Sequence, residues 1–111
     1  MNALEYNMRI RIEKPGARDS DYNTPTAAWE FFAEVWAKVE DAKPSKTDAT
    51  QQGLRLARDA ATVWIRRLNG MTSDMRIVEL SDRRRTLSIT GGPAMINGGT
   101  DLEFTVEKFS A

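Results

Sequence analysis

WEFFAEVWAKVE, residues 29–40, is the stretch on which the fold turns. Trp29, Phe31, Ala33, Val35, Ala37 and Val39 recur at every second position, the period of a strand with one buried face. Trp29, Phe32, Ala33 and Trp36 also trace a helical stripe, and Thr26 is placed to cap a helix that begins there. The strand template places six apolar residues and leaves Phe32 and Trp36 on the other face, whereas the helix template strands Phe31 and Val35. The strand reading accounts for more of the stretch. A strand this long spans about 40 Å at ~3.4 Å per residue, so a bend or a bulge is expected within it.

Working outward, Met8, Ile10 and Ile12 alternate with Arg9, Arg11 and Glu13, which predicts an earlier strand ended by Pro15-Gly16. A polar loop then runs to Thr26. Beyond residue 40 comes the most polar part of the chain, residues 41–59, expected to project from the domain as a loop, or as a short helix capped by Asp48 and weakened by Gly53. Alternation resumes with Ala61, Val63 and Ile65. It returns in residues 75–80, at Leu87 and Ile89, and at Leu102, Phe104 and Val106. Asn69-Gly70 and Ser81-Asp82 read as turns, and Gly91-Gly92 and Gly98-Gly99 as the brackets of a loop. About six short strands with one polar excursion predict an all-β chain, a small single-domain barrel over residues 1–111 with a flexible N-terminal tail at 1–7. Closing the barrel would hide its edges.

Composition narrows the function. The 111 residues fit one core. Sixteen basic residues balance sixteen acidic ones, and the balance holds on both sides of Asp59, so there is no basic arm for tight DNA binding by a lone monomer. Histidine and cysteine are absent, which removes the commonest acid–base group, the commonest zinc ligands and any disulfide. The carboxylate pairs Asp19/Asp21 and Glu103/Glu107 have no convergent partner in the sequence, and no phosphate loop or nucleophile elbow is present. No catalytic residue, cofactor or metal is therefore expected, and the chain is not read as an enzyme. Apolar runs fall far short of the ~20 residues of a membrane span, and the first residues lack an export-signal pattern.

Two basic clusters stand out, Arg83-Arg84-Arg85 and Arg66-Arg67. They can meet phosphates or an acidic neighbouring subunit, or lie solvated at a turn and a strand end. Phe32, Trp36 and Trp64 fall opposite the main apolar sets of their strands, where they either pack beneath the polar excursion or meet another subunit. Phe32, Trp36, Trp64, Arg83, Arg84 and Arg85 are thus candidate interface residues.

The opening strand MRIRIEKP at residues 8–15, the polar loop up to Trp29, AEVWAKVE at 33–40, TSDMRI at 72–77 and RTLSI at 85–89 together carry a resemblance. In order and spacing over residues 8–108 the layout resembles the head-closure proteins of long-tailed bacteriophages, also called head-tail joining or stopper proteins. The chain departs from that pattern at the turn Asp82-Arg83-Arg84-Arg85, where a tight glycine-containing turn is usual, and in a longer loop at 91–101. The resemblance implies a virion subunit, made in the host bacterial cytoplasm. Its ring sits at the head-tail interface between a portal or adaptor protein and a tail protein, closing the DNA-filled head and docking the tail. It also implies that the excursion can enter the channel and meet packaged double-stranded DNA. Ring symmetry would there repeat the channel-loop residues Lys43, Lys46, Asp48, Gln51, Gln52, Arg55 and Arg58 around the axis, with Lys43, Lys46, Arg55 and Arg58 adding up weak phosphate contacts. A tail-side ring or tail-completion subunit fits the same pattern. A free-standing nucleic-acid-binding barrel of the OB type is the alternative of a different class, with Trp36 and Trp64 as base-stacking platforms.

Overall fold

The alternation at the start of the chain becomes strand β1 (Met8–Pro15), with Ile10 and Ile12 fully buried between outward-facing Arg9 and Arg11. A computed structural model describes residues 5–16, 28–42 and 59–109, and the backbone of 18–19 and 24–25. β1 continues into a two-stranded ribbon, β2 (Arg18–Asp19) and β3 (Thr24–Pro25), and then pairs antiparallel with β4 (Trp29–Asp41). The helix alternative for residues 29–40 is thereby excluded.

The bulge expected in this strand sits opposite β1, where Ile12 pairs with Ala33 but Glu13 pairs with Phe31. Phe32 is the extra residue, and a bulge reverses the side-chain parity beyond it. This corrects the period-two reading. Phe32 turns inward and packs against the core, while Phe31 is 53% exposed on the outside.

β5 (Ala61–Arg66), β6 (Arg76–Glu79), β7 (Thr86–Ile96) and β8 (Asp101–Lys108) complete a closed barrel of order β1-β4-β5-β8-β7-β6, each neighbour antiparallel. The predicted all-β barrel of six strands is the fold of the chain. Ile10, Ile12, Ile65, Ile77, Leu87 and Phe104 fill its interior. Each such side chain removed from water contributes about 1.5–3 kcal/mol.

The loop expected between the two glycine pairs is instead mostly strand. β7 runs through Gly91-Gly92-Pro93 to Ile96, with a cis Gly92–Pro93 bond, and only a 3₁₀ turn at Asn97–Gly99 separates it from β8. The ladder is kept by letting Gly91 pair with Thr105 and Ala94 with Glu103, so that Gly92 and Pro93 together oppose Phe104. Pro93 has no N–H to lose, and such a bulge is where strands accept proline. Gly92 has φ +87°, and a Cβ there would lie 2.8 Å from the Glu103 carbonyl oxygen, so glycine is required.

Alternating strand directions give the barrel two unlike ends. Asp41, Ala61, Glu79 and Thr86 gather at what we call the excursion end; Trp29, Arg66, Arg76 and Ile96 gather at the crossing end. There residues 67–75 pass from β5 to β6, packing Leu68, Met71 and Met75 against the core.

Candidate assembly surface

At the excursion end the barrel is closed by a buried charge pair. Glu79 follows Ile77 on the inward face of β6, where a lone carboxylate would be costly. Arg85 answers it in a fork, with Nε 2.8 Å from Glu79 Oε1 and an Nη 2.8 Å from Oε2. The backbone bond from Glu79 N to Arg85 O at 2.9 Å, and the donation of Arg85 N to the Glu79 side-chain Oε1 at 3.1 Å, lock the turn between β6 and β7 around the pair. The Glu79 side chain is 1% exposed and that of Arg85 8%. Arg85 also donates to Asp41 at 3.2 Å and Asp59 at 3.4 Å, and Arg83 reaches Asp41 at 2.6 Å. Asp41 and Asp59 flank the polar excursion, and Ala42 N donates to Ala60 O at 2.8 Å, so its two roots are drawn together. The Arg83 hydrogen bond, foremost, and Arg85 hold the Asp41 carboxyl below the usual carboxylate range, while the fork with Glu79 raises the Arg85 guanidinium further above its already high value.

This revises the reading of the arginine cluster. Arg85 is engaged inside the fold rather than offered to a neighbour. Arg83 is exposed but paired with Asp41, and Arg84 is exposed at φ 51° in the turn. Lys43, Lys46, Asp48, Gln51, Gln52, Arg55 and Arg58 lie outside the described residues.

The outer wall carries aromatic rings roofed by cations. Arg9 lies 5.2 Å from the Trp36 ring centre and pairs with Glu34 at 2.8 Å; Arg11 lies 5.0 Å from Phe31. Lys38 lies 5.3 Å from Trp64, whose Nε1 donates to Glu103 at 2.8 Å. Such stacking contributes about 0.5–1 kcal/mol at exposed sites. Trp64 is therefore half-buried and committed within the chain, whereas Trp36 stays 51% exposed. Trp36, Val35, Tyr6 and Arg66 line a groove of about 450 Å³ where β5 parts from β4.

Tyr6, within the stretch read as an N-terminal tail, contacts the barrel. Its hydroxyl donates to Asp101, which also accepts from Asn97 Nδ2 and Thr100 Oγ1 at 2.9 Å each, and Arg66 stacks on its ring at 5.4 Å. Burial first, then the bond to Asp101, push the phenol up to about 12, and the same bond holds Asp101 below its usual range. A tyrosine so near the chain start gave no periodic signal. Glu79 did give one, because a carboxylate in phase with Ile77 needs a cation and three arginines follow within six residues.

Among the described residues no group of acidic side chains could hold a metal ion, and no helix is long and apolar enough to cross a membrane. No curated protein matches the sequence. The solution structure of protein SF1141 from Shigella flexneri 2a is similar, at 27% identity and a TM-score of 0.72, covering 97% of this chain and 96% of that one. A chain in the virion of a native gene transfer agent particle shares the fold at 17% identity and a TM-score of 0.63, covering 98% and 100%. The phage head completion protein family matches residues 1–108, which spans every strand and turn described above, and the chain belongs to that family.

Proposed function

We propose that this head completion protein is a subunit of a ring in the phage neck, between a portal or adaptor protein and a tail protein, that closes the DNA-filled head and docks the tail. What carries this reading is the family match over nearly the whole chain, to a barrel whose buried Glu79–Arg85 pair ties the fold together. The likeness to a chain within a gene transfer agent virion is compatible with it at the level of the fold. Native mass measurement of the chain mixed with portal, adaptor and tail components tests it. A closed ring docked on one of them is expected, and a chain that stays monomeric with all of them overturns the proposal.

The excursion is assigned the channel. Its paired roots at Asp41 and Asp59 leave the barrel at one end, so a ring with that end toward the axis would repeat Lys43, Lys46, Arg55 and Arg58 around the DNA. Deleting residues 47–55 is expected to leave ring assembly intact while filled heads lose DNA. Full retention of DNA by particles carrying the deletion removes this assignment.

A further inference from the structure

The strong stagger of the barrel leaves two stretches of strand with a neighbour on one side only. β5 pairs with β4 only from Ala37 onward, so residues 29–36 of β4 have β1 on one side and, among the described residues, no strand on the other. β6 pairs with β7 only as far as Ser88, so residues 89–96 of β7 have β8 alone. Among the described residues, no backbone hydrogen bond from the crossing segment 67–75 reaches either edge. The three exposed large hydrophobic side chains of the described residues all lie on these stretches: Phe31 and Trp36 on β4, and Met95, 63% exposed, on β7. Met95 pairs with buried Leu102 and so sits on the core-side face of its strand, bare because no strand continues the wall beside it.

The two edges are unlike and point apart. β4 and β7 stand three places from each other in the six-strand order, on opposite sides of the barrel, and both bare edges face the same way around it. They therefore open in opposite directions. The strands also run antiparallel to one another, as the alternation around the barrel requires. Two unlike patches facing apart permit head-to-tail association, which closes as a ring when the rotation from one subunit to the next divides a full turn and otherwise runs on as a filament.

We propose that the bare edge of β4 in one copy receives the bare edge of β7 of the next, so that the subunits join by antiparallel strand pairing, with Phe31, Trp36 and Met95 covered in the joint. Unpaired edge N–H and C=O groups template this addition. Pro93 and the bulge around it shorten the ladder β7 can offer, which disfavours indiscriminate pairing and makes the apolar cover decisive. This rests on the ring proposed above and names the surfaces that build it.

The chain contains no cysteine, so introduced thiols report only on themselves. Exposed positions on the two edges, Glu30→Cys or Glu34→Cys on β4 with Thr90→Cys or Ala94→Cys on β7, give four double variants that sample neighbouring registers. A disulfide needs Cα atoms about 4.4–6.8 Å apart, so at least one pair is expected to yield a ladder of covalent multimers in assembled material while single variants stop at dimers. Met95→Asp is expected to weaken assembly about tenfold or more by burying an unpaired charge in the joint, with the monomer's fold unchanged. Closed rings with no ladder from any pair, and with Met95→Asp assembling normally, overturn the strand-edge joint and leave the ring standing. Cross-links from these positions to a portal, adaptor or tail protein instead of to a second copy also overturn it. A chain monomeric with every neck component overturns the ring itself.

Discussion

The two ends of this barrel solve the same problem oppositely. At the excursion end, the inward Glu79 carboxylate is fully answered by Arg85, which also collects Asp41 and Asp59. At the crossing end, β4 and β7 outrun their neighbours and keep Phe31, Trp36 and Met95 in water. One end has its buried charge answered within the monomer, and the other leaves exposed apolar side chains on two strand edges. The difference makes stability and the proposed assembly separable: breaking the charge pair at the first end should destabilise the chain, whereas changing the exposed apolar side chains at the second should leave it folded and alone.

The largest effect is expected from breaking the charge pair. Arg85→Ala leaves Glu79 buried and uncompensated and should cost about 3–5 kcal/mol in urea unfolding, whereas the double variant Glu79→Leu/Arg85→Met should recover most of the loss. If Arg85→Ala and the double variant are equally destabilised, the pair is not what closes that end. Next, Gly92→Ala forces a Cβ onto the Glu103 carbonyl at positive φ and should cost about 2 kcal/mol.

Tyr6→Phe removes one of three donors to Asp101 and should cost about 1 kcal/mol at neutral pH. This latch also has a pH signature with two signs. The phenol titrates near 10 in the unfolded chain and about 12 in the fold, so its contribution is whole below pH 10 and is lost as pH rises toward 12. Asp101 is depressed in the fold, so its contribution is whole above its unfolded value of about 3.9 and fades as pH falls below it. Urea titrations of wild type and Tyr6→Phe should differ by a constant amount between those limits and converge at high pH.

The smallest effect on the monomer is expected from Met95→Asp, within about 0.5 kcal/mol, because the side chain is already largely in water. A cost of several kcal/mol would mean that Met95 belongs to the monomer's core and would erase the contrast between the ends.

Much of the wall was legible. The inward sets Ile10/Ile12, Val63/Ile65 and Phe104/Val106 are read straight from alternation, because a pleated strand sends successive side chains to opposite faces. Residues 29–40 show where that logic fails: a one-residue bulge exchanged Phe31 with Phe32, and period two cannot locate a bulge without the partner strand. The glycine-proline run in β7 misled for a related reason, since residues that usually end a strand can also be accommodated by a bulge within one.

The charge pair was half legible, in that Glu79 demanded a cation but which of three adjacent arginines turns inward depends on the turn that carries them. By itself, then, the order of residues determined the six strands of the barrel, most of their buried faces and the lack of imidazole and thiol groups, all of which are local or compositional properties. Only the closed barrel decided that Asp41, Asp59 and Glu79 meet at Arg85, that Tyr6 reaches Asp101, and that two edges stay bare. Those outcomes depend on the stagger between strands distant in sequence, and stagger is set by closing the whole ring of hydrogen bonds at once.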